Sequence, residues 1–203
     1  MGRKLLFIIA ICILAGSYFG YRYAITAQSP TPSLQGIHTK AIISSVSPTP
    51  GIPRSISIPK LQVHAAVESV AKDSAGRMDI PKNFIDTAWY ELGPRPGELG
   101  NAVIDGHVDT PTGAPSVFWN LKKLLPGDQI IITDSNGNSY TFAVTHVHTY
   151  PIAQIPLQAI FNPNSPASHL NLITCGGIWD ASAHNYSDRT IVYSDLVTNR
   201  KKQ

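Results

Sequence analysis

The sequence predicts an all-β domain, either a β-barrel or a β-sandwich with few helices. The first observation is composition: the 203-residue chain is 43% hydrophobic and only 14% charged, which suits one compact core. The second is that short runs of alternating or β-branched residues recur from Arg54 onward. The third is that Gly, Pro, Asn and Asp interrupt these runs, as is typical of folds built from many short strands.

A hydrophobic N-terminal segment precedes this domain. Arg3 and Lys4 come before the uncharged residues 5–21, and a membrane-spanning helix needs about 17 to 25 such residues. Because both basic residues come first, the positive-inside rule places the rest of the chain outside the cell. A cleaved signal peptide also begins with basic residues, but this run is longer than the usual signal core and lacks a clear cleavage site. We therefore expect residues 1–25 to form a single transmembrane helix that anchors the protein in the cell membrane.

Composition divides the remaining chain into three parts. Residues 26–53 are rich in Ser, Thr and Pro and cannot bury a core, so they predict an extended spacer. Residues 54–198 carry the strand pattern and form the predicted folded domain, and residues 199–203 form a basic tail. The other basic residues are scattered, so the sequence does not predict a nucleic-acid-binding surface.

Within the domain, the pattern predicts seven strands, one hairpin turn and one helix. The predicted strands are residues 55–58, 65–70, 102–105, 129–133, 139–147, 170–175 and 190–196. Residues 134–138, DSNGN, predict a hairpin turn because Asn136 and Gly137 readily adopt positive φ. Residues 117–125 predict a short helix that ends before a Pro-Gly pair.

A lone cysteine ends one of the predicted strands. Cys175 is followed by Gly176 and Gly177, and the other cysteine of the chain, Cys12, lies in the hydrophobic N-terminal segment. The outer domain therefore offers no disulfide partner, and an unpaired thiol outside the cell risks oxidation unless it is buried or has a function. The two glycines would let a peptide backbone approach the sulfur closely, although a simple turn also explains them.

Two other residues could activate this thiol, since a cysteine attacks as the thiolate and needs a proton acceptor or a cation nearby. His107 directly follows the predicted strand 102–105, and Arg189, 14 positions after Cys175, begins the last strand. Each residue alone has an ordinary structural role in packing, solvation or edge capping, and spacing does not decide between these roles and a site. His184, in the polar segment between Cys175 and Arg189, is the alternative base.

Two further histidines raise the question of a metal site. His146 and His148 alternate along one predicted strand, so their side chains share a face. No cluster of carboxylates or thiols nearby completes a ligand set. We therefore expect both histidines to face solvent, and we expect neither a metal nor a cofactor.

Four short motifs carry a family resemblance. They are LITCGG at residues 172–177, DGHVDT at 105–110, LPGD at 125–128 and RTIVYSDL at 189–196. With the placement of the thiol, imidazole and guanidinium, they resemble the sortases, cysteine transpeptidases of bacterial cell surfaces, over about residues 52–196. GHVD and the glycines after Cys175 are most similar to class F sortases. Asp105 departs from the pattern, because a small neutral residue is common two positions before the histidine.

The resemblance implies a fold and a reaction. The implied fold is a closed, mostly antiparallel eight-stranded barrel with short helices. Cys175 would be the nucleophile, His107 the acid and base, and Arg189 the group that stabilises the oxyanion or holds the substrate. The enzyme would cleave an LPXTG-like motif of secreted surface proteins after Thr. It would then transfer the acyl group from a thioester to a peptidoglycan or pilin amine, at the bacterial cell membrane.

Five more residues are candidates for contacting the sorting peptide. They are Thr174, Gly176, Gly177, Trp179 and Asp109. Asp109 and Asp105 flank His107, so either could orient its ring. Trp179, together with Trp119 and Tyr186, could line a peptide groove, and ordinary packing explains these aromatic rings as well.

Two other functional classes are compatible with the residues. One is a secreted β-domain that binds carbohydrate or protein and has a structural cysteine. The other is a different secreted cysteine peptidase, such as an L,D-transpeptidase. The latter has a Ser/Thr-x-Gly-Cys type of motif with a histidine shortly upstream. Here Thr174 directly precedes Cys175 and His107 lies 68 positions earlier, which disfavours that class.

Overall fold

Eight β-strands close into a barrel in the computed structural model, which describes residues 49–200. They are β1 Pro53–Ile58, β2 Val63–Val70, β3 Thr87–Tyr90, β4 Gly100–Gly106, β5 Gln129–Asp134, β6 Ser139–Pro151, β7 Ser168–Asp180 and β8 Asn185–Arg200. The order around the barrel is β1-β2-β3-β4-β7-β8-β6-β5. Among these described strands β2–β3 and β4–β7 pair in parallel, and the other neighbours are antiparallel. The expected closed, mostly antiparallel eight-stranded barrel is confirmed.

The barrel interior is filled by apolar side chains that alternate along the strands. Ile104 of β4, Leu172 of β7 and Val192 of β8 are fully buried in this core. Their neighbours Val103 and Ile191 are also buried, but they belong to a second apolar cluster. Because successive residues of a strand point to opposite faces, this second cluster lies on the outer face of the barrel, over β4, β7 and β8.

Within residues 49–200, short helices occur only in the connections between strands. Three are 3₁₀ helices of three residues, Pro59–Leu61, Leu121–Lys123 and Ile152–Gln154, and one is a four-residue α-helix, α1, Leu157–Ile160. The predicted helix over residues 117–125 is wrong for most of its length. The amides of Trp119, Leu121 and Leu124 donate to carbonyl oxygens three residues earlier, so this segment forms successive turns and the 3₁₀ helix Leu121–Lys123 rather than an α-helix.

The predicted hairpin between β5 and β6 is confirmed. Gly137 has φ of 81°, and its amide donates to the carbonyl oxygen of Asp134 over 3.0 Å. The Asp134 carboxylate accepts further hydrogen bonds from the amides of Gly51, Asn136 and Asn138, each 2.8 Å long. This buried carboxylate therefore ties the turn to the residues that precede β1.

The N-terminal predictions lie largely outside the described residues. The expected anchor, residues 1–25, and most of the expected spacer are not described. The last spacer residues contact the barrel, because Pro50 accepts a 2.8 Å hydrogen bond from Arg95 and Pro53 begins β1. At the other end β8 continues to Arg200. Within residues 49–200, no helix has the length and apolar character needed to span a membrane.

Candidate active site

The antiparallel pair β7–β8 places a free thiol beside a guanidinium. Cys175 of β7 lies directly opposite Arg189 of β8 in the register. Directly opposed residues of an antiparallel pair point to the same face of the sheet. Ile173 and Ile191, one pair further along on that face, belong to the outer apolar cluster, so the thiol and the guanidinium stand at the end of an apolar surface.

A cleft of about 1060 Å³ lies on this outer face of the barrel. Cys175, His107 and Arg189 all line it, and so do Asp105 and His184. Its walls come from the β2–β3 and β6–β7 connections. Their apolar members are Met78, Ile80, Ile152, Ile155, Leu157 and Phe161. The β7–β8 hairpin and the distant segment after β4 thus bring a thiol, a guanidinium and an imidazole into one apolar-walled cleft.

His107 is held by the connection between β2 and β3. Its Nε2 lies 3.0 Å from the carbonyl oxygen of Pro81, and the Phe84 ring packs against the imidazole at a centroid distance of 4.8 Å. A carbonyl oxygen can only accept, so Nε2 carries a proton and donates it to this hydrogen bond. In the neutral imidazole, Nδ1 is then the nitrogen that can accept a proton.

Arg189 is oriented by the first residues of its own strand. Its Nη1 donates to the carbonyl oxygens of Asp188 and Tyr186 over 2.8 and 3.4 Å, and its Nη2 donates to Asn185 Oδ1 over 2.9 Å. A guanidinium group is positively charged at physiological pH. Arg189 is therefore a fixed positive charge beside Cys175.

The Cys175 thiol is protonated in the resting site. Burial is the main cause that raises its pKa above the ordinary 9.0, and the negative charges of Asp105 and Asp109 raise it further. Arg189 acts in the opposite direction and lowers it. Because the raising influences are larger together, the free site holds a thiol and needs a base when it reacts.

The two glycines after the thiol are required by the protein's own packing. Gly177 has φ of 80°, and a Cβ there would collide with the side chains of Ser187 and Asp188. A Cβ on Gly176 would come within 2.8 Å of Thr190 Oγ1. The register of β7 against β8 also shifts just after Gly176. Both glycines lie inside β7, so these contacts indicate an irregularity within the strand, and not the simple turn, as the structural reason for them.

The other candidate substrate contacts tie the strands of the site together. Thr174 is buried, and its Oγ1 donates to the carbonyl oxygen of Gly106 over 2.7 Å, which joins β7 to the residue before His107. Asp109 accepts a hydrogen bond from the hydroxyl of Tyr186, and this bond is the first cause that raises the pKa of Tyr186 to about 12. Trp179 packs edge-on against the same ring at 5.2 Å.

Sequence reasoning did not find the residues that hold His107 or those that form the cleft walls. The β2–β3 connection contributes Pro81 and Phe84, which hold His107, and the β6–β7 connection contributes exposed apolar residues such as Leu157. The sequence signal that could have indicated these walls is the presence of apolar residues in segments that lack the alternation of a strand. The two strand histidines, His146 and His148, are exposed, and residues 49–200 contain no group of side chains arranged to hold a metal ion.

Comparison with known proteins identifies the family. The sortase domain family model matches residues 56–197. Similar solved structures include sortase A from Listeria monocytogenes, 20% identical, with a TM-score of 0.57 over 75% of this chain and 92% of that chain. A lid mutant of sortase A from Corynebacterium diphtheriae is 22% identical, with a TM-score of 0.56 over 73% of this chain and 72% of that chain.

A third similar structure is sortase C1 from Streptococcus agalactiae, 20% identical, with a TM-score of 0.54 over 72% of this chain and 67% of that chain. No curated protein matches the sequence. The structural similarities agree with the barrel fold, and the family model covers well over half of the chain. The chain therefore belongs to the sortase family of cysteine transpeptidases.

Proposed function

We propose that this sortase cleaves an LPXTG-like sorting motif after Thr and transfers the acyl group to a cell-wall or pilin amine. The observation that carries the proposal is that Cys175 and Arg189 of the β7–β8 hairpin and the distant His107 line one cleft. The motif follows from family membership. The apolar walls of the cleft suit the Leu and Pro side chains of such a motif. Family membership also favours this function over a surface-binding module or another secreted cysteine peptidase.

The first half of the reaction forms a thioester on Cys175. Its sulfur attacks the carbonyl carbon of the motif's Thr while His107 accepts the thiol proton. The new C–S bond forms, and Arg189 stabilises the negative charge on the carbonyl oxygen by charge-assisted hydrogen bonds. The C–N bond to the next residue then breaks, and the departing amine takes the proton from His107.

The second half resolves the thioester without an external energy source. The acceptor amine attacks the same carbonyl carbon, His107 takes a proton from the nitrogen, and the C–S bond breaks. The sulfur leaves as a thiolate that regains its proton from His107. A peptide bond is therefore exchanged for another, and the number of bonds and protons is conserved.

We also propose that the enzyme works at the outer surface of the bacterial cell membrane as a class F sortase. Residues 5–21, with two preceding basic residues, support the anchor, and residues 26–53 would hold the domain away from the membrane. The mass of the protein in isolated membranes tests whether the N-terminal segment remains as an anchor. The full-length mass in the membrane fraction is expected, and a mass lacking about the first 25 residues would support a cleaved signal peptide instead.

Incubation of the purified full chain with an LPXTG-like peptide and a triglycine amine tests the reaction. Mass spectrometry should detect an acyl adduct on Cys175 and a peptide joined to the amine. Cys175→Ala should abolish both products, while Cys12→Ala, the matched control at the other cysteine, should keep them. Transpeptidation by Cys175→Ala at the wild-type rate would rule out the proposal.

Two histidine variants distinguish the rival bases. His107 and His184 both line the cleft, but His184 is exposed in a turn with φ of 48°. His107→Ala should lower kcat/KM by about 100-fold or more, as expected for a general base. His184→Ala should change it by less than about threefold. The reverse order of effects would assign the base to His184.

A further inference from the structure

Asp105 is a carboxyl group beside the nucleophile that the reaction described above does not use. It lies on β4, opposite Ile173 of β7 in a parallel pairing. Cys175 is two residues further along β7, on the same face, and Arg189 of β8 lies opposite Cys175. A carboxyl, a thiol and a guanidinium thus occupy three adjacent strands, and all three line the cleft.

We propose that Asp105 is a positioning residue that keeps the free site inactive: as a carboxylate it competes for the charge of Arg189 and disfavours the Cys175 thiolate. When Asp105 gains a proton, its negative charge no longer offsets the positive charge of Arg189, which then stabilises the thiolate and the oxyanion more strongly. The proposal rests on Cys175 being the nucleophile of the proposed function. Asp105 acts through Arg189 and Cys175 and forms no bond with the substrate.

The charge of Asp105 is poised to change near neutral pH. Burial raises its pKa from 3.8 to about 7, and Arg189 opposes this rise. The influence is reciprocal, because the Asp105 charge contributes to the raised pKa of Cys175. At neutral pH the carboxyl therefore exists in both forms, and a small change in its surroundings decides which one dominates.

Other ionisable groups share the cleft with Asp105. They are Tyr90 of β3, His107 after β4, Lys72, Asp73, Arg77 and Asp79 of the β2–β3 connection, and His184 of the β7–β8 turn. The residues that the β6–β7 connection contributes are uncharged: Ile152, Ile155, Leu157, Gln158, Phe161 and Pro163. Of the charged side chains that line the cleft within residues 49–200, Arg189 is the one that shifts the pKa of Asp105, and it lowers this pKa.

A sorting peptide would shift this balance as it binds. A peptide in the cleft displaces water from Asp105, and loss of water favours the neutral form of a carboxyl group. The binding event would then draw a proton onto Asp105, remove the negative charge that offsets Arg189, and lower the pKa of Cys175. The thiol would become reactive when substrate is present and stay protonated otherwise, which limits oxidation of an unpaired cysteine.

The pH dependence of Cys175 alkylation in the full chain tests the proposal. The probe is iodoacetamide, and mass spectrometry of the Cys175 peptide separates its signal from that of Cys12. Below about pH 6 Asp105 is mostly neutral, so Asp105→Asn and wild type should react at similar rates. Above about pH 8 the variant should react about three- to tenfold faster, because the carboxylate charge is missing.

Two control variants separate the charge of Asp105 from its shape and from other charges. Asp105→Glu keeps a carboxylate and should retain the pH-dependent suppression of alkylation. Asp79→Asn removes an exposed carboxylate that lines the same cleft and should leave the wild-type profile unchanged. If Asp105→Asn does not fold, Asp105→Ala is measured in the same way, since it also removes the charge.

Two results would overturn the proposal. A variant-to-wild-type rate ratio that is constant from about pH 6 to 8 would indicate a structural effect alone, because a charge effect must follow the titration of Asp105. A ratio of one throughout would show no effect at all. The measurement needs no sorting peptide, so a failure of the proposed transpeptidation would not change its outcome.

Discussion

Arg189 donates three hydrogen bonds to its own strand, to the carbonyl oxygens of Tyr186 and Asp188 and to the side chain of Asn185. These contacts fix a planar group directly opposite Cys175. The forked shape of the guanidinium allows these multiple contacts. Its positive charge lowers the pKa of Cys175 and so opposes the effect of burial. At the residue scale, geometry and charge thus come from the same side chain.

Two substitutions at Arg189 separate these contributions. Arg189→Ala removes both the cation and the oxyanion donor, so kcat/KM for a sorting peptide should fall by about 100- to 1000-fold. Arg189→Lys keeps the charge but cannot make the forked contacts with Asp188 and Asn185, so it should recover only part of the activity. Steady-state kinetics give both values. Full activity in the lysine variant would show that charge alone suffices.

Asp105 also makes the stability of the fold depend on pH. The pKa of its carboxyl rises from the ordinary value of 3.8, which applies to the unfolded chain, to about 7 in the folded protein. The folded protein therefore binds this proton more tightly. The stability that this tighter proton binding gives to the fold is fully present below about pH 4 and is lost as the pH rises through about 7. The loss amounts to at most about 4 kcal/mol, since a tenfold change in proton affinity corresponds to about 1.4 kcal/mol.

Urea unfolding of Asp105→Asn and wild type at two pH values measures this effect. The two proteins should have similar unfolding free energies near pH 4, where the carboxyl is largely protonated in the folded state. Near pH 8 the variant should be more stable, because it does not bury a negative charge. A variant that is equally or less stable at both pH values would contradict the raised pKa of Asp105.

At the scale of elements, a buried threonine connects β7 to the loop that carries the histidine. The Thr174 hydroxyl donates to the carbonyl oxygen of Gly106 over 2.7 Å, immediately before His107. The same residue is adjacent to Cys175. One hydrogen bond therefore fixes the ends of β4 and β7 relative to each other, and with them the two residues proposed to exchange a proton.

Thr174→Val tests this connection, because valine has nearly the same shape without the hydroxyl. The buried carbonyl oxygen of Gly106 loses its partner, so the unfolding free energy should fall by about 1 to 3 kcal/mol. Thr149→Val is the matched control: Thr149 is exposed, and its hydroxyl bonds Thr190, so the loss should be smaller. Urea unfolding and kcat are measured together, and an unchanged kcat in Thr174→Val would show that this bond does not position His107.

The elements that sequence reasoning predicted are those with local signals. Seven strands have alternating or β-branched runs, and the turn at Asn136 and Gly137 carries its own positive-φ signature. β3 was missed because Thr87–Tyr90 has only four residues and follows a long connection without periodicity. The helix over residues 117–125 was predicted wrongly, because the amides of Trp119, Leu121 and Leu124 bond to carbonyl oxygens three residues earlier and form turns and a short 3₁₀ helix.

The candidate site, like the strands, was predictable only where the neighbouring sequence carries a signal. Cys175 and Arg189 lie on strands joined by a short turn, so their pairing depends on neighbouring sequence. His107 reaches the same cleft only because β4 pairs with β7 in parallel, and no local pattern specifies that pairing. Family resemblance, rather than periodicity, identified His107 as the partner of Cys175.

At the scale of the whole molecule, the site depends on two apolar clusters on opposite faces of the same strands. The barrel interior holds β4, β7 and β8 together, and the outer cluster packs α1 against them through the fully buried Ile160. Two buried asparagines on the outer face reinforce this packing. Asn101 and Asn171 donate to the carbonyl oxygens of Ala159 and Ile160 over 2.7 and 2.8 Å.

Asn171→Ala should separate binding from chemistry, because Asn171 holds a wall of the cleft and not the reacting groups. Loss of its hydrogen bond leaves the Ile160 carbonyl without this partner and loosens α1, so KM for a sorting peptide should rise about three- to tenfold with kcat changed less than about twofold. Asn164→Ala, an exposed position in the same connection, should leave both constants unchanged. A fall in kcat at constant KM would instead indicate that the β6–β7 connection supports the catalytic groups, because contacts made only in the transition state affect kcat alone.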